Sequence, residues 1–470
     1  MSNIRKEVVN SAYNRAYSLI INDDKHERFK SLKQFILDNE SLTEDEKTEA
    51  IRRFDGDYDY FKVVENDGIR RNCEICQKDC LATLYCEFCV REYLKSKFSS
   101  WSSGNDIIDM LIQNCQKKTL IPYMIVEWIP YENLQNFKYL TQGGFSKIYS
   151  ADWVDGHYKE WVPKENQLKR SGTCKVVLKK LENVENANRS WLEEASYFAT
   201  THLFISNKWG SIVQCYGLTK NPDGKFMLVM NKMDIDLRRY LQKNRGQVSW
   251  KTKIQITFEI IKALCRIHEE NSIHRDLHSG NILYSEEKND WYISDLGFCG
   301  PADKPLKSIY GNLPFIAPEV ISKNQCSYAS DIYGVAMLMW EISSEQPPFV
   351  NYKHNYDLAI NIINGMRPRI VPGTPLEYKE LMVQCWDANP NRRPKIRTLW
   401  NKIEELNKSF YQDNEYINYN IDSNTMNSLI EINHSKIYNF EDLPEPKNAT
   451  EEEQEAYYTI QLSLSIPDNI

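Results

Sequence analysis

The 470-residue sequence has no run of 18 or more apolar residues, so no segment of it reads as a membrane-spanning helix. Its start, MSNIRKEVVNSAYNRAYSLI, has no continuous apolar core of the kind a secretory signal needs. Basic residues are not in surplus: the formal net charge of −7 argues against broad nucleic-acid affinity. No internal repeat is visible. The twelve cysteines are scattered apart from one cluster, and nothing in their spacing points to an oxidising compartment. Free or metal-bound thiols in the cytoplasm or nucleus are the expectation. Glycine is missing where a phosphate-holding loop would want it. In LTQGGFSKIY (140–149), the G-x-G-x-x-G positions read Thr141, Gly143 and Ser146, with an extra glycine at Gly144.

What is present is ordinary for a soluble globular protein, at 41% hydrophobic and 26% charged residues. The length suits two or three domains. Residues 1–66 read as helical, and LTEDEKTEAIRRF offers Thr43 and Glu46 as a capping box. The cysteine cluster and a linker helix follow over 67–134; Asn105 or Asp106 could cap that helix, and Pro130 interrupts any helix beyond it. From 135 to 233 short β-branched runs alternate with turns. From 234 to 408 the periodicity is helical, as in Ile256, Ile260, Leu264 and Ile267. A small sheet lobe before a larger helical lobe is an α+β arrangement, with the cleft between lobes as the natural ligand site. Residues 409–470 are polar and read as disordered or only locally ordered.

The chemistry concentrates in SIHRDLHSGNILY (272–284) and YISDLGF (292–298). Asp276, Asn281 and Asp295 supply two carboxylates and an amide across a loop and the hairpin after it. Phosphoryl transfer uses that set. One carboxylate takes the proton of an attacking hydroxyl, while an amide and a second carboxylate hold Mg²⁺ against the phosphates. Upstream, VVLKKL puts Lys179 on a strand, and SWLEEASYF offers Glu194 on a helix to orient that lysine.

In this order the motifs resemble those of eukaryotic protein kinases, over roughly residues 135–408. The resemblance implies a bilobal kinase fold, with a β-rich lobe over 135–233 and a helical lobe over 234–408, preceded by a helical and zinc-knuckle module. Lys179 matches the strand lysine and Glu194 the helix glutamate, Glu193 being a second register. HRDLHSGN matches the catalytic loop, which makes Asp276 the base and Asn281 a metal ligand. DLG makes Asp295 the main Mg²⁺ ligand, and APE at 317–319 closes the activation segment. Asp331 resembles the aspartate that braces the catalytic loop, and Glu319 with Arg393 a structural buried pair. The adenine of ATP would lie between Ile148 and Val177 above and Leu283 below, under a lid carrying Gly143 and Gly144. VMNKM would be the hinge, with Met230 as gatekeeper and Met233 beside the base. In finer detail, SDIYG, MLMWEI and CWDANPNRRP resemble the tyrosine-kinase-like group, and the whole chain a family expanded in fungi. That group implies serine/threonine specificity by default, with tyrosine or dual specificity left open.

Three departures stand out. The outer loop glycines are replaced, which points to weaker ATP affinity rather than lost binding. Asn312 and His278 stand where serine/threonine kinases carry threonine and lysine, which leaves the substrate class open. The stretch 152–176 is longer than a tight hairpin needs and reads as a tolerated surface insertion. Arg275 suggests control by phosphorylation, with Ser308 or Tyr310 as the phosphate carrier or merely as solvated hydroxyls.

The cluster CEICQKDCLATLYCEFC pairs Cys73-x2-Cys76 with Cys86-x2-Cys89, and Cys80 is a spare. Four thiolates in two such knuckles close tetrahedrally on Zn²⁺, for interaction or packing rather than catalysis. The expectation is an ATP- and Mg²⁺-dependent protein kinase in signal transduction, with a structural zinc. It would act on a protein substrate and not on nucleic acid or membrane, with an unknown partner for the N-terminal module. The alternatives are a nucleotide-binding pseudokinase scaffold and a binding protein that works through its zinc module.

Overall fold

Three helices open the chain: Lys6–Leu19, Lys25–Leu37 and Glu44–Glu65. The third begins at the expected capping box: Glu46 N–H donates to Thr43 Oγ1 at 3.4 Å, and Thr43 N–H to Glu46 Oε2 at 2.9 Å. Val9, Ala16, Leu32, Ile36, Ala50 and Phe54 bury together between the three. The computed structural model describes residues 4–20, 24–142, 147–180, 203–296, 309–410, 435–440 and 443–464. Among these, no helix is long and apolar enough to cross a membrane.

The cysteine segment folds against the third helix. Asp59, fully buried, accepts the N–H of Thr83 and of Leu84, each at 2.7 Å, and pairs with Lys62 at 2.8 Å. Lys62 in turn donates to the Leu81 carbonyl at 2.8 Å. Helices Glu87–Ser96 and Asp106–Lys117 follow, the second capped by Asn105.

The sheet lobe is six-stranded. Its order is Glu127–Trp128, Cys215–Lys220, Phe226–Asn231, Cys174–Lys180, Lys147–Trp153, Leu134–Gln142. The edge strand Glu127–Trp128 runs parallel to Cys215–Lys220 with Glu127 opposite Gly217. Gly217 has φ +149°, and a Cβ there would meet the Glu127 carbonyl oxygen at 1.8 Å, so only glycine admits this strand.

The stretch 152–176 is not the surface insertion that its sequence suggests. It carries a hairpin, Tyr158–Val162 with Gln167–Arg170, whose cross-strand pair Trp161 and Leu168 buries among Cys73, Cys80, Cys86, Cys89 and Leu94. Arg170 adds a 2.5 Å ion pair to buried Glu127. The hairpin thus joins the sheet lobe to the cysteine module. Two apolar residues on one face of a short hairpin have no visible purpose until the surface they cover is known.

The helical lobe is built around Tyr328–Ser344, buried from Ser330 to Ser343 and mostly apolar, with Asp331 and Glu341 as its buried charged groups. The polar tail carries local order in its described residues. Lys436–Tyr438 pairs antiparallel with Ile309–Gly311, and a helix runs over Glu451–Leu464. Lys447 N–H donates to the Ile363 carbonyl at 3.0 Å, and Asn448 Oδ1 accepts Ala388 N–H at 2.8 Å. Gly365, at φ +97°, would clash with Ala449 N at 2.2 Å if it bore a Cβ. This docking combines main-chain and amide bonds with Tyr438, Phe440, Leu443 and Tyr457 against the helical-lobe core, apolar residues too irregularly spaced to show a helix or strand period.

Candidate active site

Antiparallel pairing decides which side chains share the cleft face of the sheet. Val177 lies opposite both Met230 and Ser150, and Lys179 opposite Leu228 and Ile148. Residues directly opposite one another point the same way, so Ile148, Val177, Lys179 and Met230 share one face. The other face, with Val176, Leu178, Ala151 and Val229, packs into a separate core. Met230 clusters with Met233 and Leu283, so the expected gatekeeper, hinge and floor residues come together. Gly143, Gly144, Glu194 with Glu193, and Ser308 lie outside the described residues. The Lys179 ammonium, expected beside Glu194, donates to Asp295 Oδ1.

The catalytic-loop candidates are held by buried polar groups. Asp331 accepts the N–H of His274 at 2.8 Å and of Arg275 at 3.0 Å, and bonds His268 Nε2 at 2.9 Å. Burial alone would raise the Asp331 pKa; the His268 hydrogen bond and charge, with the backbone N–H, outweigh it and hold the carboxyl below its usual range. Asn281 donates from Nδ2 to the Asp276 carbonyl at 2.9 Å, and its own carbonyl accepts Ser294 N–H at 2.8 Å and Ser294 Oγ–H at 3.0 Å. The loop bearing Asp276 is thereby tied to the strand end bearing Asp295. Arg275 (φ +71°) and Asp295 (φ +57°) both sit in the left-handed region, a strain that concentrates at functional sites. Sequence reasoning missed Glu341, fully buried, which accepts Ser279 Oγ–H at 2.8 Å and steadies the turn after Asp276.

It also missed Ser435. The Ser435 hydroxyl donates to Asp276 Oδ1 at 2.8 Å and lies 3.1 Å from His278 Nε2. No local signal could have found it, since Ser435 and Asp276 are 159 residues apart. Tyr310 is buried rather than presented to solvent; burial first, then the charges of Asp276 and Asp295, raise its pKa. Asn312 is buried as well. Glu319 and Arg393 form the expected pair, a fork of two bonds at 2.6 and 2.7 Å with the Arg393 side chain fully buried.

Away from the cleft, the sulfurs of Cys73, Cys76, Cys86 and Cys89 all lie within 4.8 Å of one another. Cys73 and Cys89 stand 3.7 Å apart, and Cys76 and Cys86 3.6 Å. Four thiolates at about 2.3 Å from Zn²⁺ would stand about 3.8 Å apart, so the set has tetrahedral dimensions. Burial pushes the Cys73 thiol up, but the backbone N–H groups of Cys76 and Ile75 outweigh it and bring it to about 7. Burial pushes Cys89 up to about 12. Sulfurs this close do not all ionise without a cation among them.

Residues 134–403 match the family described as protein tyrosine and serine/threonine kinase. Similar proteins come from Dictyostelium discoideum. The probable serine/threonine-protein kinase roco7 is 26% identical over 295 residues, covering 60% of this chain and 10% of that one. The probable serine/threonine-protein kinase DDB_G0272254 is 24% identical over 283 residues, 59% of this chain and 20% of that one. The dual specificity protein kinase zak2 is 30% identical over 185 residues, 34% of this chain and 29% of that one. The chain thus spans less than a third of the length of each of these relatives. With the family match running over more than half of its length, the chain belongs to the protein tyrosine and serine/threonine kinase family.

Proposed function

We propose that this chain is an ATP- and Mg²⁺-dependent protein kinase that transfers the γ-phosphate to a protein hydroxyl, with serine/threonine preference, in the tyrosine-kinase-like group. The observation that carries the reading is the convergence of Lys179, Asp295, Asn281 and Asp276 on one cleft. The donors fit a hard cation: an amide oxygen and a carboxylate suit Mg²⁺, and the Asn281 bond to the Asp276 carbonyl uses only its NH₂ group, which leaves Oδ1 as the ligand atom. When bound, Mg²⁺ neutralises charge on the phosphates. Lys179 holds Asp295 and supplies the positive charge for the phosphates; Asp276 takes the proton of the acceptor hydroxyl. Ile148, Val177, Met230, Met233 and Leu283 form the apolar slot for the base.

The same reading assigns residues 1–66 and 67–134 to a module that braces the sheet lobe through the 158–170 hairpin, with structural Zn²⁺ on Cys73, Cys76, Cys86 and Cys89. The kinase unit is 135–408, and part of the 409–470 tail docks on it. Incubation with ATP labelled at the γ-phosphate, Mg²⁺ and a mixed protein substrate tests the transfer reading. Label on protein is expected from the wild type and not from Lys179→Ala. No transfer by the wild type, with nucleotide still bound, would favour a pseudokinase scaffold.

A further inference from the structure

The tail strand brings a hydroxyl onto the candidate base. Lys436, Ile437 and Tyr438 pair in register with Gly311, Tyr310 and Ile309, which directly precede the APE-bearing stretch. Adding a strand to an exposed edge in this way lets main-chain bonds fix the register, so that one side chain is delivered to one place. Here that side chain is Ser435, buried, with its hydroxyl on Asp276. The strand is anchored beyond this point. Tyr438 is buried and stacks on Phe440 at 5.4 Å, Phe440 meets Tyr356 edge-on, and Lys447 and Asn448 bond the helical lobe.

His278 fixes the hydroxyl's orientation. Gly280 N–H donates to His278 Nδ1 at 3.1 Å, so the neutral ring carries its proton on Nε2. That N–H then donates to Ser435 Oγ, and Ser435 O–H donates to Asp276 Oδ1. The oxygen keeps a lone pair, and its proton already lies on the group that would accept it. A general base needs its proton within hydrogen-bond reach, and 2.8 Å meets that condition.

We propose that Ser435 is a phosphoacceptor in cis, a modification site formed by the chain's own tail. The proposal rests on the kinase reading above and names a substrate for it. In the step, Ser435 Oγ forms a bond to the γ-phosphorus of a magnesium-bound nucleoside triphosphate, and the bond from that phosphorus to the bridging oxygen of the leaving diphosphate breaks. The hydroxyl proton passes to Asp276, and the nucleoside diphosphate leaves with the electron pair. The product places a phosphate against Asp276, and like charges at that spacing repel. Phosphorylation of Ser435 therefore expels the strand and clears the groove for other proteins.

The test uses the full chain with ATP and Mg²⁺, peptide mapping by mass spectrometry, and a generic protein substrate in the same tube. The expected result is phosphate on Ser435 at a rate per molecule independent of protein concentration. That signal should be lost in Ser435→Ala and regained at the same position in Ser435→Thr. Hydrogen exchange over 435–440 should be slow in the untreated chain and faster once Ser435 carries phosphate. Transfer to the added substrate without phosphate on Ser435 would overturn this proposal and leave the kinase reading standing. A rate that rises with protein concentration would overturn the cis step. Transfer to nothing at all would overturn both.

Discussion

Trp161→Ala tests whether the cysteine module and the sheet lobe fold as one unit. The indole is 6% exposed, packs within the cluster that holds Cys73, Cys86, Cys89 and Leu94, and meets the Tyr93 ring edge-on at 5.9 Å. Truncating a buried tryptophan costs about 3–5 kcal/mol. The aromatic pair contributes about 0.5–1.5 kcal/mol of that. Leu168, directly across the hairpin, remains to hold part of the contact, so the lower end, about 3 kcal/mol, is the expected loss. At about 1.4 kcal/mol per decade, this is roughly a hundredfold rise in local opening. Native-state hydrogen exchange reads it directly. Amides of 71–96 and 158–170 should exchange about a hundredfold faster, while those of the central helix Tyr328–Ser344 keep their wild-type rate. Unchanged exchange over 71–96 would refute the docking of the module through this hairpin.

Elemental analysis should find one zinc per full chain, and Cys76→Ser should lower the zinc content and expose the 71–96 segment to protease; zinc-free wild type with a folded module would remove the metal from the account. Arg393→Ala should destabilise the helical lobe by about 3–5 kcal/mol in urea, because it strands Glu319 as a buried charge. The double variant Arg393→Met with Glu319→Leu should recover most of that loss, and a loss as large in the double variant would deny that the stranded charge is the cause. Burial, reinforced by Lys288, Arg170 and Lys159, depresses His157 from 6.5 to about 4. The folded chain then binds this proton less readily than the unfolded chain. The stability it contributes is fully present above about pH 6.5 and is lost as the pH falls toward 4. Thermal unfolding across that window should fall more steeply for wild type than for His157→Phe, whose ring can still stack on Tyr216; parallel profiles would leave His157 without a part in acid sensitivity.

What was legible in the sequence was what the chain states locally. Thr43 and Glu46 lie three residues apart and close one helix turn, so their capping box needs no knowledge of the rest. Asp276 and Asn281 share one loop, and their bond follows from its short span. The cysteine pairs are likewise two short knuckles on one segment, and their sulfurs do converge. Three features were not legible because their partners are remote. Trp161 and Leu168 look like isolated apolar residues until the cysteine core covers them. Ser435 lies in a tail whose composition suggests no packing, yet its strand is fixed by main-chain pairing with Ile309–Gly311 and by the rings of Tyr438 and Phe440, whose partners are remote in sequence. The pairing of Lys179 with Asp295 is a matter of conformation, and motif matching assigns the lysine a role without fixing its partner.

The central claim is that Asp276 acts as the base for phosphoryl transfer in this cleft. Its most direct test is the rate of γ-phosphate transfer from ATP–Mg²⁺ to protein by wild type and by Asp276→Asn, with nucleotide affinity measured on both. The account predicts a fall of about 10²–10⁴-fold in transfer with nucleotide affinity unchanged. Equal transfer rates in the two proteins would contradict it.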